Sequence, residues 1–160
     1  MIKTVSLVVL AMLLTGCSNS SVVMFEELPK EGWHQDEWKS FTYTHRLPKK
    51  EAALSLLLRH DDHYPYANIY LITEQINPKG VTQVDTLNYV LAQANGKWLG
   101  NGFFIKEHQL PFVGRLVLDE PGKYRFRVRP AVRSNDLLAP EKILTGIHQI
   151  GLEITPLPHD

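Results

Sequence analysis

Gly122-Lys123-Tyr124-Arg125-Phe126-Arg127-Val128-Arg129 alternates without a break. Successive side chains of a β-strand point to opposite faces. A period of two therefore turns Tyr124, Phe126 and Val128 toward a core and lines the other side with Lys123, Arg125, Arg127 and Arg129. One apolar face and one wet face belong to an antiparallel sheet.

The flanking sequence repeats the signal. Val113–Leu118 lies just before, and Asp119-Glu120-Pro121-Gly122 reads as the turn of a hairpin between the two. Phe41-Thr42-Tyr43-Thr44-His45 is short and rich in aromatic and β-branched residues. Ala52–Arg59 is an apolar run that fits a buried strand or a helix segment. Pro48 before it and His60-Asp61-Asp62 after it limit its length and favour the strand. Asn68–Ile76 stops at the turn sequence Asn77-Pro78-Lys79-Gly80. Val81–Ala94 then meets Asn95-Gly96, a strong hairpin signal because both central residues of a type I′ turn need positive φ. Lys97–Lys106 returns, which predicts Ala94 opposite Lys97, Ala92 opposite Leu99 and Leu91 opposite Gly100. Ile147–Ile154 closes the domain, and Asn135–Leu144 alone looks irregular or briefly helical. About eight short strands at regular spacing predict an all-β fold, a jelly-roll-like antiparallel β-sandwich.

The N-terminus carries a different code. Lys3 precedes an apolar run from Val5 to Leu14, which closes on Leu14-Thr15-Gly16-Cys17. This is a secretory signal peptide too short to span a bilayer as a mature helix. The small residues directly before a cysteine resemble the bacterial lipobox, in which that cysteine is lipidated and becomes the new first residue. Cys17 is the chain's one cysteine, so its modification leaves no disulfide, thiolate nucleophile or Cys-based zinc site. Two or three acyl chains hold a protein at a membrane essentially permanently. Ser18–Ser21 reaches roughly 13 Å at about 3.3 Å per residue, and further if Val22–Trp38 is also loose. The organisation expected is a signal peptide at 1–16, lipidated Cys17 and a tether over 17–37, the sandwich over 38–155, and a tail at 156–160.

Lys+Arg and Asp+Glu both number 17, a balance that argues against nucleic acid as an electrostatic partner. No cofactor is implied. In His60-Asp61-Asp62-His63 two imidazoles and two carboxylates adjoin, but neighbouring side chains in an extended chain diverge. The segment reads as a solvated loop rather than a metal site, and no histidine or carboxylate sits in a motif with an activated nucleophile.

Several blocks occur in a telling order: Tyr64-Pro65-Tyr66-Ala67-Asn68-Ile69-Tyr70-Leu71, Asp85-Thr86-Leu87, and Gly96-Lys97-Trp98-Leu99-Gly100-Asn101-Gly102. Leu110-Pro111, Gly122-Lys123-Tyr124-Arg125-Phe126 and Gly146-Ile147-His148-Gln149-Ile150-Gly151-Leu152 follow. Together with Cys17 they resemble the GldH family of gliding-motility lipoproteins of Bacteroidetes from about Trp38 to Ile154, with a longer link between Arg133 and Gly146. The resemblance implies a non-enzymatic, outer-membrane component of the gliding and associated secretion machinery, touching other envelope proteins. It implies no catalytic residues.

The same blocks have structural readings. Gly100 and Gly102 would lie on one strand face, letting a ring or backbone approach. Asp85 and Asn68 would satisfy loop backbone groups. Tyr64, Tyr66 and Trp98 would cap the core with their polar tips outward, or, if exposed in a row, stack on sugars in an envelope glycan-binding module. The Lys123, Arg125, Arg127 and Arg129 stripe reads as a solvent face neutralised by neighbouring carboxylates. Its functional version is a docking stripe for anionic lipid, lipopolysaccharide phosphate or an acidic partner.

Overall fold

The structure, a computed structural model, describes residues 20–46, 49–131 and 143–158. Cys17 and the segment 1–16 expected to be a signal peptide lie outside the described residues, as does most of the Asn135–Leu144 segment. Among the described residues ten strands run in order: β1 (Val22–Glu27), β2 (Trp33–His34), β3 (Lys39–His45), β4 (Lys50–His60), β5 (Asn68–Ile76), β6 (Thr82–Val90), β7 (Lys106–Leu118), β8 (Gly122–Pro130), β9 (Ile143–Leu144) and β10 (Ile147–Pro156). Two four-stranded antiparallel sheets, β1-β10-β4-β7 and β3-β8-β5-β6, form the sandwich, and β2 pairs with β9 beside them.

The topology is that of one long hairpin rolled up. β1 pairs with β10, β3 with β8, β4 with β7 and β5 with β6, while β10–β4 and β8–β5 contacts close the roll. This is the jelly roll that the strand pattern predicted. Its tip is the turn at Asn77-Pro78-Lys79-Gly80. There the Asn77 carboxamide oxygen accepts from the amides of Lys79 and Val81, and Gly80 takes a φ of 82°. Of the eight long strands, only β5 and β6 are paired neighbours in sequence.

That topology corrects both hairpins read from the sequence. Asp119-Glu120-Pro121 does not join paired strands, because β7 belongs to one sheet and β8 to the other. Asn95-Gly96 sits in a longer loop between β6 and β7, and Lys97–Ile105 is not a strand. The ladder there is Ala92 opposite Trp98, one residue off the predicted register. Gln93 takes the amide of Gly96 on its carbonyl, Gly96 alone has positive φ (82°), and the Gln93 amide bonds the Lys97 carbonyl. The turn is thus a three-residue loop with a left-handed glycine, and the slip exchanges the faces of every flanking side chain. A third correction concerns the tether. Val22–Glu27, placed in the loose 17–37 segment by sequence, is strand β1, so the folded body begins sixteen residues ahead of position 38.

The core follows the alternation. Tyr124, Phe126 and Val128 on β8, Ile69 and Leu71 on β5, Leu54, Leu56 and Leu58 on β4, and Ile150, Leu152 and Ile154 on β10 are all buried. Each such side chain contributes about 1.5–3 kcal/mol of transfer free energy. Ala52–Arg59 is therefore strand and not helix. Pro111 is tolerated in β7 because that strand lies on a sheet edge, where a missing donor costs no ladder bond. The Tyr89 hydroxyl donates to the Pro111 carbonyl at 2.6 Å, joining edge strands of opposite sheets. Burial pushes its phenol up to about 12.

Candidate functional site

The roll gives the molecule two ends. The near end holds Val22 at the start of β1, the β3–β4 and β7–β8 connections and the β5–β6 turn. The far end holds β2, β9, the β4–β5 loop and the long β6–β7 loop.

At the far end the rings gather. His60, the last residue of β4, is fully buried, which corrects its reading as part of a solvated loop. Its Nδ1 lies 2.8 Å from the Asp61 carbonyl and its Nε2 2.9 Å from His108 Nε2. The carbonyl can only accept, so His60 Nδ1 carries hydrogen, and His60 Nε2 then accepts from His108. Burial lowers the pKa of His60 against the opposing bond to the Asp61 carbonyl. Burial, helped by the neighbouring His60, lowers that of His108 to about 4. Both rings are thus neutral near pH 7. Trp98 stands edge-on to His60 at 4.4 Å and donates to Asp62 Oδ1 at 2.8 Å. Gly100 is what lets His108 lie close, since a Cβ there would come within 2.6 Å of its Nε2.

Asp61 organises the loop. Its carboxylate accepts from the His63 amide at 2.8 Å and meets His148 Nε2 at 2.9 Å. Burial works against its charged form, but these hydrogen bonds outweigh it and hold the pKa below the usual carboxylate range. Among the described residues no three His, Asp or Glu side chains converge on a metal-sized point.

The candidate rings do not form a row. Tyr64 is 3% exposed and bonds the Asn68 carbonyl, Trp98 is half-buried, and Tyr66, edge-on to Tyr64, is 38% exposed. Asn68 and Asp85 stand on strands rather than in loops. Asn68 donates to the Asn88 carboxamide and Asp85 accepts from Gln83, so neither serves loop backbone.

The cation stripe divides in two. Toward the far end, Arg127 pairs with Glu74 at 2.7 Å, and Arg127 and Arg129 both lie over the Trp38 ring, at 4.5 and 5.1 Å. Arg129 also donates to the Gln35 carbonyl. Toward the near end, Lys123 and Arg125 are exposed beside Thr44 and Thr42 and form no ion pair with a described residue.

Sequence reasoning missed one feature altogether. Phe103 and Phe104 are 81% and 79% exposed, at right angles to each other 4.8 Å apart. An Asn101–Glu107 bridge closes the loop beneath them, and Lys106 Nζ bonds the carbonyls of Gly102 and Phe103. Gly102 is required there: its φ is 120°, and a Cβ would sit 2.0 Å from the Ile105 carbonyl oxygen. The available signal was two adjacent phenylalanines, which no half-buried strand alternation accommodates.

The GldH lipoprotein family model matches residues 22–154, the folded body from β1 almost to the end of β10. The chain belongs to the GldH lipoprotein family. This GldH-family chain is 34% identical over 151 residues to the gliding motility lipoprotein GldH of Flavobacterium johnsoniae, covering 92% of each. It is 35% identical over 123 residues to a gliding motility lipoprotein GldH homolog of Christiangramia forsetii, covering 76% of each. The infectious bursal disease virus VP2 subviral particle overlaps 88% of this chain and 42% of that one, at 13% identity and a TM-score of 0.31. Membership of a lipoprotein family makes this a membrane-anchored protein of the cell envelope.

Proposed function

We propose that the protein is a non-catalytic component of the gliding-motility and associated secretion machinery, lipid-anchored through Cys17 in the outer membrane and working by contact with other envelope proteins. One observation carries this reading. The far end holds Phe103 and Phe104 out of the core on a loop braced by Gly102 and Lys106. Two adjacent exposed rings on a braced loop cost little ordering entropy on association, the property of an interface anchor.

The test places a photoreactive residue at Phe104 and, as a control, at Thr44, in intact cells. Discrete adducts from position 104 and few from 44 support the reading. Phe103→Ser with Phe104→Ser should abolish spreading over surfaces while leaving thermal unfolding within a few degrees of the parent. Normal spreading by that variant removes the far end from the interaction.

The glycan-binding alternative is less well supported. Tyr64 is buried and Trp98 is tied to Asp62, so Tyr64, Tyr66 and Trp98 form no stacking platform toward solvent. The far-end recess of about 460 Å³ is lined by Glu27, Arg59, Ile105, Glu107, His148 and Gln149, without a Phe, Tyr or Trp ring. Its polar groups already bond one another, Arg59 to Glu107 and Gln149.

A further inference from the structure

We infer that the near end of the sandwich is a docking surface for anionic lipid headgroups of the leaflet that holds the Cys17 anchor. The inference rests on the anchor in the proposed function and not on the partner contacts. Three observations carry it.

The first is where the chain enters the fold. β1 starts at Val22, and the Ser21 hydroxyl already bonds Thr155 at 3.1 Å, so the fold holds position 21, four residues from Cys17 and within roughly 13 Å of it at about 3.3 Å per residue. That reach is on the order of the Debye length, ~8–10 Å at physiological salt. Charges at this end therefore feel the membrane surface potential.

The second is the charge there. The β3–β4 and β7–β8 reversals at this end bring Arg46 and Lys49 from the β3–β4 connection beside Lys50, Lys123 and Arg125. Lys79 and Arg115 at the same end are already paired with Glu120 and Glu51. Those five cations form no ion pair with a described residue, and Asp119 is the one nearby described carboxylate likewise outside an ion pair. The far end is mixed, with Glu27, Glu31, Asp36, Asp61, Asp62 and Glu107 set against Lys30, Lys39, Arg59, Lys97 and Lys106 around its loops. The excess of unpaired cations therefore belongs to the end where β1 enters the fold.

The third is apolar. Val81, on the rim of this end, is 64% exposed, and Val22 and Val23 flank the tether. Basic residues interspersed with small apolar ones suit a headgroup layer, where each Lys or Arg near an anionic surface strengthens association about fivefold. The far end, with Phe103 and Phe104, then points away from the bilayer.

The test uses the mature lipidated chain, whose one cysteine is acylated, so that a new cysteine takes a dye selectively. Dye is placed at Thr44→Cys or Asn101→Cys, and the protein is reconstituted into phosphatidylcholine vesicles with or without phosphatidylglycerol and a headgroup-level quencher lipid. Quenching several-fold stronger at 44 than at 101, only with phosphatidylglycerol and weakening with salt, supports the inference. Lys49→Gln, Lys123→Gln and Arg125→Gln should each lower the docked population about fivefold. Equal quenching at both positions, or the same preference on neutral vesicles, overturns the docking surface and leaves the anchor intact. A chain that does not float with the vesicles overturns the anchor and the docking surface together.

Discussion

At the far end the buried polar atoms are partnered: His60 with His108, Trp98 with Asp62, Tyr64 with Asn68, Trp33 Nε1 with the Glu37 carbonyl. At the near end His45 is buried between Tyr43 and Tyr124, and its Nε2 has no hydrogen-bond partner among the described residues. The far end is specified by geometry, with rings locked by short-range contacts that tolerate little displacement. The near end is specified by net charge, which acts over several ångströms and tolerates side-chain motion. A rigid end suits a recognition tip, and a diffuse electrostatic end suits a fluid lipid surface.

The comparison breaks most readily at the far end. Trp33 is fully buried on β2, so Trp33→Ala should cost about 3–5 kcal/mol, read as a fall in the urea midpoint. A loss below about 1 kcal/mol would mean that β2 and β9 are not part of the core.

The histidine pair makes a nearly equal claim on acidity. Both folded pKa values lie below the ordinary 6.5, so the unfolded chain binds protons that the folded one excludes. Stability from this source is complete above pH 6.5 and falls as pH drops from 6.5 toward 4, by about 3 kcal/mol for His108 alone. Urea midpoints across that window should slope steeply, and more shallowly in His108→Leu. A slope unchanged by that substitution would refute the pairing.

At the near end the sign reverses. His45→Phe keeps the aromatic packing and removes an unbonded buried nitrogen, so it should stabilise by about 1 kcal/mol. Destabilisation instead would reveal a partner for that nitrogen. The smallest effect separates the two halves of the cation stripe. Arg127→Ala, which loses Glu74 and the Trp38 face, should cost about 0.2–1 kcal/mol. Arg125→Ala should leave the melting curve where it is.

Much of the fold was legible. The alternation in Lys123–Arg129 placed Tyr124, Phe126 and Val128 in the core, and the length limits on Ala52–Arg59 gave the strand at β4. Asn77-Pro78-Lys79-Gly80 was read as a turn and is the tip of the whole roll. The hairpins at Asn95-Gly96 and Asp119–Gly122 failed for different reasons. Asn95-Gly96 does turn the chain back on itself, but through a three-residue loop that slips the register by one and ends after a short ladder, whereas Asp119–Gly122 joins strands of opposite sheets, which turn chemistry does not report. The candidate site was less legible. His60 looked like part of a polar quartet because its partner, His108, lies 48 residues away. Phe103 and Phe104 were lost in a strand that does not exist.

By itself the sequence determined the all-β character, the apolar faces and the family resemblance, because these are codes written in neighbouring residues. Tertiary structure alone decided that Val22 pairs with Ile154, that His60 meets His108, and that cations from three separate connections and strands share one end. Rolling a long hairpin brings together residues more than a hundred positions apart. No local pattern of propensity or charge records which ones they are.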